Sequence, residues 1–334
     1  MKLSSTPPRR AFAAVISAAM TYGPTRIPRI AYEVDIPVET CRYYLKKFHQ
    51  AGFRFHAVVD YRALGLVPHI VFIRFAEKVS PVMRENFLRW LERIYLVYRA
   101  TLLKDREYFL EVVPPSMEQQ NYRVILEMLL DMGVIENYVC DEVVEGYYKP
   151  EWVKLYDFRR EAWNEKIDVE IPAIPFFLTE NRVKFDKTDL MIIEELELEP
   201  NVRMNDISQR LGISPQLVSY HREKHVEGGR LLTGFLPTRR TSLQDARYVL
   251  VNTVDSMVDS SFSDYLHAVW KKKHGTIIRL HIPVEKDVEF SQSVYSIVPD
   301  QVSTFTIPTE HYVEGRWIGL EVFIEELEKI VKTI

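Results

Sequence analysis

"LGISPQLVSYHREKHVEGG", residues 211–229, decides the fold. Short polar side chains gather near the start of a helical run, which is how a helix that reads DNA begins. Two residues break the pattern. Arg222 and His225 fall on the face that such a helix buries. A guanidinium is not buried without a partner. Either the helix is rotated, or the aliphatic stem packs while its head reaches solvent, or acidic groups face it from elsewhere.

The stretch has a counterpart 177 positions earlier. "IAYEVDIPVETCRYYLKKFHQAG" (30–52) falls on "ISQRLGISPQLVSYHREKHVEGG" (207–229). Ile30 meets Ile207, Ile36 meets Ile213, Tyr43 meets Tyr220, Lys47 meets Lys224 and Gly52 meets Gly229. Upstream, "AAVISAAM" (13–20) lies over "LMIIEELE" (190–197); downstream, "VFIRF" (71–75) covers "YVLVN" (248–252). Further on the offset becomes 169, where "VEG" at 144–146 meets "VEG" at 313–315. Matching order and near-constant spacing over most of the chain mark a tandem repeat. The second copy is eight residues shorter, the loss falling between about 253 and 276.

Each copy reads as three helices, a wing strand and an αβ domain. In copy one, helices are expected at 10–21, 26–34 and 37–51, with Pro37 at a first helical position and Gly52 as the stop,. Cys41, Tyr44, Leu45 and Phe48 recur at three- and four-residue spacing as the buried stripe,. "FRFHAVVDY" (53–61) alternates like a wing,. Strands at 66–77, 96–103, 106–114 and 134–144 with helices at 80–93 and 116–131 give the order βαββαβ,. In copy two only "TIIRLHIP" (276–283) is an obvious hairpin strand, so the second sheet is expected to lack or shorten one. Between the copies, 152–167 is expected to be helical and "IPAIPFF" (171–177) an extended, proline-stiffened crossing,. "GLEVFIEELEKIVKTI" (319–334) carries one apolar stripe, as a helix packed on its own sheet would,.

The fold class is therefore α+β: two winged helix-turn-helix domains, each followed by a ferredoxin-like βαββαβ sandwich, the second shortened. The expected boundaries are 1–62 and 63–146 for the first pair, 147–184 for an ordered connector, 185–242 and 243–318 for the second pair, and 319–334 for the terminal helix.

Composition narrows the function classes. At 334 residues, with 47% hydrophobic and 12% aromatic content, the chain is globular and multidomain,. Cys41 and Cys140 stand far apart with no C-x-x-C pair, which supports neither a disulfide framework nor a zinc knuckle,. No apolar run reaches the ~20 residues of a membrane span. "RRAFAAVISAAM" (9–20) has an export-signal look, but its counterpart is an internal helix, so a cytoplasmic protein is expected. The net charge of −4 masks two basic regions. Residues 1–60 hold nine Lys/Arg against four acids, and residues 200–240 hold seven against three.

The stretch "FDKTDLMIIEELELEPNVRMNDISQRLGISPQLVSYHREKHVEGG" resembles the winged helix-turn-helix of the Lrp/AsnC regulators. "AVVDYRALGL" (57–66) looks like that family's connector, and "DREYFLEVVPPSMEQQNYRVILEML" (105–129) is similar to its αβ domain. The family pairs its αβ domains in a dimer that presents two reading helices. Two units in one chain thus imply a built-in pseudo-dimer that regulates transcription, with further homodimerisation through the αβ domains or the terminal helix.

The expected partner is double-stranded DNA. Base-edge and phosphate contacts are assigned to Thr40, Arg42, Tyr43, Lys46 and Lys47 in copy one,. Copy two supplies Ser214, Gln216, Ser219 and Tyr220, with Arg239 and Arg240 on its wing. Two heads on one body are expected to span sites one DNA turn apart, or a multiple. Catalytic residues, cofactor and metal are expected to be none: there is no H-E-x-x-H, Walker loop or nucleophile elbow,. Two alternatives stand beside this. One is a protein–protein adaptor using winged helices without DNA. The other is an enzyme, because some decarboxylases acting on siroheme resemble the same family; Arg54, His56 and Arg62 would then serve it.

Overall fold

The first three helices form at the expected places. α1 (Pro8–Tyr22) buries Phe12, Val15, Ile16, Ala19 and Met20; α2 (Ile27–Val34) and α3 (Val38–Gln50) follow. The stripe Cys41, Tyr44, Leu45 and Phe48 is buried, as its periodicity requires,. The computed structural model describes residues 8–91, 95–102, 106–116, 119–177, 184–239, 246–253, 260–286, 288, 290, 302–307 and 309–312. The expected terminal helix at 319–334 lies outside these residues. Among them, no helix is long and apolar enough to cross a membrane.

β1 (Phe53–Val59) is followed by β2 (His69–Phe75), α4 (Pro81–Leu91), β3 (Leu96–Thr101), β4 (Glu107–Val112), α5 (Gln119–Asp131) and β5 (Ile135–Tyr148). Within this set, the sheet pairs β3 with β4, β4 with β2, and β2 with β5. The far half of β5 pairs with two further strands. One is β8 (Ile174–Phe177), the extended crossing anticipated at 171–177. The other is β11 (Leu266–Lys272), in the register Trp270↔Gly146. Gly146 is required there, because a Cβ would lie 2.1 Å from the Phe176 ring.

The connector departs from expectation. Residues 152–167 are not helical. They form a 3-10 turn, Glu151–Lys154, and a small hairpin of β6 (Tyr156–Asp157) and β7 (Ala162–Trp163). Its aromatics decide this: Trp152, Tyr156 and Phe158 are all buried. Phe158 stacks on Phe12 at 5.1 Å and Trp152 on Phe53 at 5.5 Å. These rings plug the first helical unit, and a single amphipathic helix does not present all three to it.

The second helical unit comprises α6 (Lys187–Leu198), α7 (Met204–Leu211), α8 (Pro215–His221) and β9 (Leu232–Arg239). Asp186 and Asp189 form a capping box on α6, each side chain accepting from the other's backbone N–H,. Ser214 caps α8, with Pro215 at its first turn,. Beyond β9 come β10 (Ala246–Thr253), β11, β12 (Thr276–Pro283), β13 (Val302–Ile307) and β14 (Thr309–Tyr312).

The expectation of a missing or shortened second hairpin is overturned. β11 and β12 pair along their lengths, for example Ala268↔Arg279 and Trp270↔Ile277. β11 escaped notice because Leu266 to Trp270 are all buried, which erases the alternation that marks a half-buried strand,. The shortening falls in the crossover before β11. There the first sheet has α4, and the described residues of the second have a 3-10 turn, Ser260–Tyr265.

The long sheet runs β13-β10-β12-β11-β5-β2-β4-β3-β14. Its two end strands, β13 and β14, are separated by residue 308 alone, so the chain ties one edge of the sheet to the other.

Candidate nucleic-acid interface

Each head presents its third helix in the same way. In the first, α2 ends on Asp35 in a left-handed conformation (φ 54°) before α3 begins. In the second, α7 ends on Gly212 (φ 66°) before α8. On the outward faces, Tyr43 and Tyr220 are each 52% exposed. Arg42, Lys46 and Lys47 are exposed and Thr40 is half-buried. Gln216 and Ser214 are exposed and Ser219 is half-buried. The Ser214 hydroxyl accepts from the Leu217 N–H at 3.2 Å, so part of its hydrogen-bonding capacity serves the helix. Arg42 is paired with Glu39.

The two wings are not separate. β1 pairs with β9 antiparallel, from Phe53↔Arg239 to Val59↔Leu232. Each wing strand also leans on the opposite head. Phe235 of β9 packs at Gly23, after α1, where a Cβ would meet its ring at 2.8 Å. Arg239 therefore sits at the end of a two-stranded ribbon; its side chain and Arg240 lie outside the described residues.

The basic surface is narrower than the charge count suggests. Arg10 pairs with Asp168, Arg26 with Glu227 and Arg29 with Glu33. Arg210 bridges Glu195 and Glu199 at 2.8 Å each, which raises its pKa. Lys46, Lys47, Arg203, Lys224 and Arg230 are exposed and make no ion pair among the described residues. Arg203, Lys224 and Arg230 belong to the basic region and are not among the residues expected to contact DNA. Their exposure is the signal that sequence could not give.

The question raised by Arg222 and His225 is answered by acidic partners. After α8 the helix widens into a π-helical turn, Arg222–Glu227. Arg222 is 4% exposed, and its Nε donates to Glu227 Oε1 at 2.8 Å. The other Glu227 oxygen takes Arg26 of the first head at 2.7 Å. Burial lowers the Arg222 pKa, and Glu227 opposes that shift,. His225 Nδ1 lies 3.1 Å from Asp189 Oδ2, and His221 Nδ1 lies 2.8 Å from Asp189 Oδ1.

The residues named for an enzyme fall on β1 and on the segment that follows it. Arg62 donates to the Val144 carbonyl at 3.2 Å and covers the Phe177 ring at 4.1 Å. His56 is half-buried and Arg54 exposed on β1, paired opposite Leu236 and Thr238. Inside the sheet, however, lies a polar group that sequence did not flag. Glu111 of β4 and Arg279 of β12 are fully buried, as is Trp270. Burial pushes the Glu111 carboxyl up to about 7, against the influence of Trp270 and Arg279. Nearby, Trp152 Nε1 donates to His267 Nδ1 at 3.1 Å.

Residues 185–224 match the family model for winged helix-turn-helix DNA-binding domains. No curated protein matches the chain. Among solved structures, the siroheme decarboxylase NirDL in complex with an iron-uroporphyrin III analogue is similar at 10% identity and a TM-score of 0.55. That likeness covers 96% of this chain and 99% of the other. A second structure of NirDL gives 12% identity and a TM-score of 0.54, covering 95% and 99%. LrpC of B. subtilis is 16% identical over 37% of this chain and 93% of its own, at a TM-score of 0.28. The expectation that the chain is not an enzyme falls with the NirDL match, since the fold that spans it end to end is one that carries a decarboxylase. Residues 185–224 thus match a winged helix-turn-helix model, within a fold similar to that of NirDL over 96% of the chain.

Proposed function

We propose that the chain is a DNA-binding transcription regulator built as an intramolecular pseudo-dimer, with α3 and α8 as its two reading helices. The observation that carries this reading is the register of the wing ribbon. Ala57 pairs with Phe235 and Val58 with Gly234. Ala57 and Gly234 are 177 positions apart, and so are Val58 and Phe235. Under the 177-residue offset these two pairs exchange with one another, a local twofold relation beside the bulge at Val58 and Val59 that supports a pseudo-dimer,. On such a body, Tyr43 with Lys46 and Lys47, and Tyr220 with Gln216, face outward as a pair.

Fluorescence anisotropy on a labelled duplex selected from genomic fragments tests it. Binding is expected to fall steeply with salt as counterions are released. The double change Lys46→Ala/Lys47→Ala is expected to cost roughly tenfold in affinity at low salt and to flatten the salt slope by about two. Failure to retain any duplex at low salt overturns the reading and favours the protein–protein adaptor.

A second reading makes the chain an enzyme on a tetrapyrrole carboxylate, as its full-length structural neighbour is. The buried Glu111, Arg279 and Trp270 favour it. A guanidinium suits a carboxylate, and a carboxyl held near neutral pH suits proton donation. Spectral titration with siroheme separates the two readings. A saturable band shift, followed by loss of carbon dioxide, supports the enzyme. Unchanged spectra remove it.

A further inference from the structure

The geometry points to a transition-metal site in the second head, formed by Asp186, Asp189, His221 and His225. One ligand atom from each of the four lies within 4.8 Å of all the others. His221 Nδ1 lies 2.8 Å from Asp189 Oδ1 and 3.8 Å from Asp186 Oδ1, and His225 Nδ1 lies 3.1 Å from the other Asp189 oxygen, Oδ2. Ligands about 2.0–2.2 Å from a tetrahedral zinc stand roughly 3.3–3.6 Å apart, so small rotations suffice. Imidazole nitrogens with carboxylate oxygens suit a borderline ion of the Zn2+ class. The two carboxylates bring charge that a dication neutralises.

Three further features fit. His221 and His225 are four apart in "HREKH" (221–225), which sets two imidazoles one helical turn apart,. Asp189 is fully buried and His221 nearly so, whereas Asp186 and His225 are more open, which leaves an entry path. Packing alone does not call for this chemistry. At the positions 177 earlier stand Arg9, Phe12, Tyr44 and Phe48, where Phe12 stacks on Tyr44 at 4.7 Å. The second head has four potential ligands where the first has three aromatic rings and an arginine.

To hold an ion, each imidazole would present its Nδ1 lone pair and carry its ring proton on Nε2. The ion then ties the start of α6 to the junction where α8 widens into its π turn. Tyr220, whose ring lies 5.6 Å from His221 and 5.4 Å from His225, is held by the same junction.

The site stands independently of the DNA reading. The test uses the full chain, stripped with chelator and titrated with Zn2+ by calorimetry and with Co2+ by visible absorption. One equivalent is expected to bind, with the ligand-field bands of tetrahedral Co2+. His225→Phe, which installs the residue of the first head, is expected to weaken binding at least tenfold and to abolish those bands. If that variant fails to fold, His225→Asn serves in the same role. Absence of stoichiometric binding overturns the proposal. Binding that His225→Phe or His225→Asn leaves unchanged also overturns it, since the ion then sits elsewhere.

Discussion

Tyr43 and Tyr220 stand 177 residues apart and share the same exposure, yet one residue further along the two helices part company. Behind Tyr43, Tyr44 and Phe48 join Phe12, Phe53, Phe55 and Phe158 in one aromatic stack. Behind Tyr220, His221 and His225 meet the buried carboxylate of Asp189. The outward surfaces are alike while the supports differ. A head can keep its presentation while its core is rebuilt from dispersion to directed polar contacts, provided its buried charges find counter-charges. The widened π turn belongs to that rebuilding: Gly228 N–H reaches back five residues to the Glu223 carbonyl at 3.1 Å,.

The largest effect expected from this difference is in the first head. Phe48 is fully buried against Phe53 at 5.1 Å and Phe55 at 4.7 Å. Phe48→Ala is expected to cost about 4 kcal/mol through lost contacts and the cavity left behind. In the presence of chelator, His225→Ala at the equivalent place is expected to cost about 1 kcal/mol, because it removes one hydrogen bond from a partly open ring. Urea denaturation of both variants measures the gap. Equal costs would erase the distinction between a stacked and a hydrogen-bonded support.

Next in size is the ion group that joins the heads. Glu227→Gln leaves the buried Arg222 without its counter-charge and releases Arg26 as well. About 3 kcal/mol of destabilisation is expected, since an uncompensated buried charge is the costly outcome. Arg222→Leu restores the residue type found at Leu45 and removes the charge instead. It is expected to fall within about 1 kcal/mol of the parent. If Arg222→Leu costs as much as Glu227→Gln, the pair holds the heads together by attraction rather than by mutual satisfaction. Thermal denaturation at two salt concentrations measures both.

What sequence could reach follows the same division. α1 to α3, and α4 and α5, were legible because Cys41, Tyr44, Leu45 and Phe48, and stripes like theirs, repeat at helical spacing. The β2–β5 order was legible for the matching reason in strands. β11 was not, since burial on both faces leaves no alternation to read. The connector was misread because Trp152, Tyr156 and Phe158 answer to distant partners such as Phe53 and His267, not to a local period. Among the site residues, the outward set on α3 and α8 could be placed from periodicity alone. The Asp/His group could not, as its halves lie about thirty residues apart and only folding joins them. The "HREKH" spacing was the one local signal of it. Glu111 and Arg279 sit on β4 and β12, far apart in sequence, and only folding brings their charges near each other.

The smallest expected effect isolates the turn itself. Asp35 and Gly212 are 177 apart and both adopt left-handed backbone, with φ of 54° and 66°. A Cβ at Gly212 would meet nothing within 4 Å, so Gly212→Ala tests backbone strain without a clash. About 1 kcal/mol of destabilisation is expected, the usual cost of left-handed backbone in a residue with a Cβ. Asp35→Gly relieves the same strain in the first head. Its gain is expected to be smaller, about 0.5 kcal/mol, because aspartate tolerates this conformation better than alanine and glycine adds entropy to the unfolded chain. Opposite signs at the two positions would mean that both turns are held left-handed by the same geometry. A loss of stability in Asp35→Gly would instead show that the Asp35 side chain supports its turn, and that the heads differ there as they do beneath their tyrosines.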